Sequence, residues 1–415
     1  MRRVVLPIVA MGLLLGQKAA ADEVTQQDSA ASFPARVHHR SSLEWAATVP
    51  GRLVYLPLQV TGYGTRRIVS LLWDERILYR ARELLTFADG RVGVRPLANS
   101  RRGAGSRLFV NDVAGMDVNL TSTFGASGSS RQHHQLALTG WGDRTISAYY
   151  RSEPKESFYG IGHDARESDK SSFRRKDIYL QVTSKRALSD RVSLDWDINY
   201  HRTEIEAGES KSAPSTTDVY PPGTLPGLED KIDFVEAGFT IRGLFVDVPG
   251  SPTRGNRTRL RFAHRQSVDD DEFSHVQVGI HTEQFMELFY RRTVSLQLGA
   301  DWRFDPYDND IPFYHLASLG GTQILRGFKR GRFRDNGVGY AVGTYKFPVW
   351  ELIEGTLFYE SGRAFHQVSD LSLSDWESSY GGGMRLWVPD GVVFELLVAK
   401  SSEMTRLLFS LATNF

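Results

Sequence analysis

The sequence predicts an all-β chain: a 16-stranded antiparallel transmembrane β-barrel preceded by a short N-terminal segment that contains one amphipathic helix. Three observations predict it. Segments of about 10–14 residues alternate apolar and polar positions, whereas soluble strands average only about 5–6 residues. The polar face of these segments carries full charges at mid-strand, which a wet lumen tolerates. Finally, the chain opens with an export signal and then offers no cysteine and no long apolar run. It therefore has neither disulfides nor a membrane helix to rely on.

The elements follow in chain order. Met1-Arg2-Arg3 is a cationic start, and residues 4–16 are apolar but too short to span a bilayer. Ala19-Ala20-Ala21 then supplies small residues before Asp22. Residues 1–21 read as a cleaved secretory signal peptide. Residues 22–89 form a periplasmic segment whose first part is polar. Within it, residues 66–87 repeat Ile68, Leu71, Leu72, Ile77, Leu78, Ala81 and Leu84 at helical spacing, with arginines opposite. Two readings of that helix stand: packing under the barrel mouth, or lying on the membrane surface.

The barrel is expected over residues 90–415. In 192–201, Val192, Leu194, Trp196, Ile198 and Tyr200 share one face, and Ser193, Asp195, Asp197, Asn199 and His201 share the other. In 294–304, Val294, Leu296, Leu298, Ala300, Trp302 and Phe304 oppose Ser295, Gln297, Gly299, Asp301 and Arg303. A soluble sandwich also alternates, but the strand length, the charged inner faces and the aromatics near strand ends favour the membrane. Counting back from the carboxyl terminus gives fifteen strands, from 404–415 to 105–113. Both termini of a bacterial barrel face the periplasm, so strand number is even, and 90–98 supplies the sixteenth. Its Pro96 cannot donate to a ladder, so the seam between first and last strands is expected to be weak. Phe409, Leu411 and the terminal Phe415 share the outer face of the last strand. That ending resembles the assembly signal of bacterial outer-membrane proteins.

One insertion interrupts the pattern between strands eleven and twelve. "SLGGTQILRGFKRGRFRDNGVGY" (318–340) places two glycines ahead of Leu325-Arg326-Gly327-Phe328. About thirty residues later stands Phe358-Tyr359-Glu360-Ser361-Gly362, and then Gly381-Gly382-Gly383-Met384-Arg385. These motifs resemble the BamA/TamA-type outer-membrane assembly barrels, also called the bacterial surface antigen family. The first resembles its (V/I)RG(F/Y) motif, with Leu325 at the leading position. The second is similar to its aromatic-x-Asp-x-Gly pattern, with Glu360 in place of aspartate. Residues 246–260 and "FYGIGHD" (158–164) are similar as well. The resemblance implies that loop 311–337 folds into the lumen. It implies a structural lock built from Arg326, Gly327, Phe328, Phe358, Glu360, Gly362, Gly383 and Arg385. An arginine partly withdrawn from water needs a partner, and Glu360 can accept its charge-assisted bond.

Residues 22–89 are too few for the family's periplasmic POTRA repeats, so the resemblance is to a short, POTRA-less branch. It implies insertion or translocation of proteins or lipids; a plugged pore or structural barrel without insertase activity stays open beside it. The expected partners are the outer-membrane bilayer, the outer-membrane assembly machinery during biogenesis, and a protein or lipid substrate. Net charge is +1, which argues against nucleic acid. No nucleophile, base and orienting group are spelled out, His133 and His134 point to opposite faces, and no cofactor or metal is expected.

Overall fold

A computed structural model of the chain describes residues 85–412, apart from 100–102, 128–130, 269–271, 307–308, 351–352, 389–390 and positions 117, 141, 229 and 373. The expected signal peptide, most of the N-terminal segment and Phe415 lie outside the described residues. The end of the expected helix does not: Thr86–Phe87 is a short strand paired with Val92 and Gly93.

Sixteen long strands run in sequence. They are β1 (Val92–Asn99), β2 (Gly103–Val110), β3 (Asn119–Ser127), β4 (Arg131–Gly140), β5 (Arg144–Phe158), β6 (Ser171–Ser189), β7 (Val192–Ala207) and β8 (Lys231–Val246). The second half comprises β9 (Gly255–Ser267), β10 (His275–Phe289), β11 (Arg292–Phe304), β12 (Gly337–Pro348), β13 (Ile353–Phe365), β14 (Glu377–Val388), β15 (Gly391–Ser401) and β16 (Thr405–Ala412). Each pairs antiparallel with its neighbours in sequence, and β16 returns to pair with β1, so the sheet closes. Closure leaves no strand edge unpaired, which is what lets strands cross lipid.

Alternation sorts the side chains as expected. Leu180, Ile198, Leu298 and Tyr359 face outward, and Leu407 is 65% exposed to what would be lipid. The inner face carries Asp177, Asp197, Glu236 and Glu360, all buried. A two-sided water-soluble sheet would not present so large an apolar belt.

The links at one end are short, such as 190–191 and 290–291, while the other end carries 159–170, 208–230 and 305–336. The strands entering the long-loop end are longer than the sequence suggested. β5 reaches Phe158, and β6 starts at Ser171. The ladder slips between Glu153 and Glu156, at Pro154, which has no N–H to give, and then resumes. Above this ribbon, Phe158, Phe173, Ile205, Leu225, Leu228 and Phe313 pack into an apolar cluster.

Candidate functional site

Two features stand apart from the regular wall: the segment 305–336 and the seam. The segment folds inward. Ala317–Leu319 and Phe333–Asp335 pair as a small hairpin, and between them Gly320 and Gly321 take φ of +97° and +125°, a region that side chains with a Cβ rarely adopt. This brings Leu319, Leu325, Phe328 and Phe333 against Val338, Tyr340 and Val342 of β12 in a second apolar cluster.

Arg326 reaches the inner face of β13. Its Nε donates to Glu360 Oε1 at 2.6 Å, and its backbone N–H donates to Glu360 Oε2 at 2.6 Å. Ser379 Oγ donates to the same Oε2 at 2.7 Å. The carboxylate thus bridges the side chain and backbone of one residue instead of gripping both prongs of the guanidinium. The guanidinium also lies 3.6 Å from the centroid of the Phe358 ring, a cation–π arrangement. Glu360 is wholly buried, so these donors stand in for its lost water.

Most of the expected lock residues meet here. Phe328 is wholly buried beneath the loop. Gly327 lies against the β15 end: a Cβ there would fall 2.6 Å from the Lys400 carbonyl carbon, and Ser401 Oγ donates to Gly327 O at 3.0 Å. Gly362 leaves space for Leu319 of the hairpin, 2.9 Å from where its Cβ would stand. Gly383 does not face the loop; its missing Cβ makes room for the backbone of β15 at Leu396 O. Arg385 is also elsewhere. It holds Glu354 at 2.7 Å and Ser251 at 3.1 Å, while Lys346 donates to Pro252 O at 2.6 Å. These groups anchor the 247–254 link near the short-turn end, where Asp247 accepts from the N–H groups of Thr253 and Arg254.

Sequence reasoning missed three loop contacts. Arg406, on the inner face of β16, aims one nitrogen at the carbonyls of Gly321 (2.6 Å), Arg326 (3.1 Å) and Phe328. Arg332 pairs with Glu403 at 2.6 Å and donates to Ala165 O at 2.7 Å. The 158–164 segment docks on the hairpin, with Gly162 N–H donating to Arg334 O at 2.8 Å and the His163 ring 5.4 Å from that of Phe333. A charged residue at an inner position of the last strand was the one available signal, and it points to many partners equally well.

At the seam, Leu97, Ala98 and Asn99 pair with Ala412, Leu411 and Ser410. Three pairs are described there, and every other barrel interface holds between seven and sixteen. The described pairing stops next to Pro96, whose opposite position, 413, lies outside the described residues. Phe409 projects outward and Leu411 sits in the seam itself. Among the described residues, no group of three or more His, Cys, Asp or Glu is arranged to hold a metal.

The comparisons with known proteins bear on both features. Residues 120–396 match the family model described as the Omp85 superfamily domain. No curated protein matches. Among solved structures, the chain is similar to BamA from Haemophilus ducreyi lacking POTRA domains 1–3. The identity is 13% and the TM-score 0.56, over 77% of this chain and 70% of that one. It is also similar to CdiB from Escherichia coli, at 12% identity and a TM-score of 0.52, over 78% of this chain and 63% of that one. Likeness at such identity speaks for the fold.

Proposed function

This chain belongs to the Omp85 superfamily, and on that premise we propose that it is an integral protein of the bacterial outer membrane that helps proteins or lipids enter or cross that membrane through its β1–β16 seam. The observation that carries the reading is the proline at position 96 of β1, the strand that closes the barrel against β16. A barrel in lipid must pair every strand edge, so opening costs the ladder bonds at the interface that parts. Pro96 in β1 lies next to the described seam pairs and has no N–H to give to a ladder, so β1 is the strand proposed to part from β16. The proposal gives no residue a catalytic role and needs no cofactor.

A crosslink tests it. Ala98 and Leu411 are direct partners across the seam, within the Cα separation a disulfide spans, and the chain has no cysteine to compete. The Ala98→Cys/Leu411→Cys variant, once oxidised, should lose its ability to speed the folding of a second outer-membrane barrel into vesicles, and reduction should restore it. Equal activity in the oxidised and reduced forms would sink the reading.

A second reading, a stoppered pore without insertase activity, is favoured by the bonds that tie Arg326 to Glu360 and Arg406 to the loop carbonyls. A pore would keep its conductance under the seam crosslink.

A further inference from the structure

Beneath the inward loop lie two contiguous cavities of about 1080 and 860 Å³, which share Lys185, Arg242, Arg259, His281 and Asp301 in their walls. The loop, from Ser318 to Ile324, forms the roof of the larger one, and the short 190–191 turn stands at its other end. Their walls are cationic. Eight Arg or Lys against three Asp or Glu line the first, and seven against five line the second.

Most of these charges already have partners. Arg261 holds Asp197 and Glu236, Arg265 also holds Glu236, Arg242 holds Asp195 and Arg257 holds Glu283. Among the described residues, Arg259 and Arg303 form no salt bridge within 4 Å, although Asp301 lies near enough to feel both charges. Arg303 lines the second cavity, and its buried Nη1 has no hydrogen-bond partner. Arg259 stands directly opposite Arg242 on β8 and His281 on β10. Arg259 and Arg242 are like charges directly opposed across strands, offset by Asp195 on Arg242 and by Asp301 nearby. A cavity with low-dielectric walls of one sign also concentrates counter-ions.

We infer that the chamber between the inward loop and the short-turn end binds phosphate-type oxyanions through Arg259 and Arg303. A planar guanidinium offers paired N–H donors matched to phosphate oxygens, and the buried Nη1 of Arg303 has no hydrogen-bond partner among the described residues. The lining reaches the short 190–191 turn, which is the anion's side of entry in this reading. It is either a free phosphate compound or the phosphate of a lipid headgroup. This inference rests on the lumen wall and does not depend on the seam opening.

Calorimetric titration of the full chain, refolded in an uncharged maltoside detergent, tests it, with inorganic pyrophosphate as the probe at about 0.15 M salt to screen exposed charges. The unsubstituted protein should bind pyrophosphate at one site. Arg259→Gln, at an exposed position, should weaken it at least threefold, and Arg259→Gln/Arg303→Gln at least tenfold. Heat-modifiable migration on gels confirms that each variant is folded. Competition by glycerophosphoglycerol supports a headgroup as the source, and its failure to compete supports free phosphate. No binding by the unsubstituted protein overturns the inference, as does unchanged affinity in folded Arg259→Gln.

Discussion

At the scale of single residues, Glu360 decides how the loop is held. It accepts three hydrogen bonds, two from Arg326 and one from Ser379, and no water reaches it. Glu360→Gln keeps the shape but turns one acceptor into a donor facing donors. Breaking a buried charge pair from one side costs about 3–5 kcal/mol. Arg326→Ala should cost less, because Glu360 keeps the backbone N–H of residue 326 and the Ser379 hydroxyl. The temperature at which the folded band converts to the unfolded one on gels should therefore fall further for Glu360→Gln than for Arg326→Ala; the opposite order would show that the carboxylate is not the hub. The pair itself was legible in the sequence, because Arg326-Gly327-Phe328 and Phe358-x-Glu360-x-Gly362 stand in matching contexts and alternation puts Glu360 inside. Ser379 and Arg406 were not legible. Inward polar residues are common on lumen faces, and nothing in a one-dimensional pattern says which of them a loop will meet.

At the scale of elements, the alternation and the turn chemistry were enough to place the sixteen strands of the closed barrel. The errors sit at strand ends on the long-loop side. There β5 ends and β6 begins in runs of buried residues that pack toward the apolar cluster around Phe313, where the period-two pattern gives way. The glycine run of β14 was legible as a motif and misread in its role. An added Cβ at Gly381 would stand 2.1 Å from Val398 O and 2.6 Å from the Phe358 ring, and one at Gly383 would stand 1.9 Å from Leu396 O. The run serves the close approach of β15 and seats the ring beneath Arg326. On β12, Gly343 offers the contrast, with its nearest neighbour 4.0 Å away. Gly383→Ala should therefore force the backbone apart, at about 1–3 kcal/mol for overpacking, and lower the yield of heat-modifiable barrel severalfold, with Gly343→Ala close to the unsubstituted protein. Equal yields for the two variants would contradict the close β14–β15 approach.

At the scale of the whole molecule, the barrel is asymmetric along its axis. The long-loop end is filled by two apolar clusters, one around Phe313 and one around Phe328, and the cationic chamber lies between the inward loop and the short-turn end. What keeps that end filled is more than one ion pair. Arg326 is fixed to β13 through Glu360, while Arg406 on β16 holds three carbonyls of the same loop, that of Arg326 among them. Interactions that meet at one residue are coupled, so the two anchors need not contribute additively. Arg406 and Glu360 touch different atoms of the loop, so removing one should leave the other in force. In planar bilayers, Arg326→Ala should raise conductance modestly through brief openings. Arg326→Ala/Arg406→Ala should raise it much more, because the loop then has only its apolar contacts to return to. Conductance in the double variant equal to that of the unsubstituted barrel would mean that the Arg326 and Arg406 anchors do not hold the barrier, and Phe313→Ala in the same background would then test whether the cluster around Phe313 does.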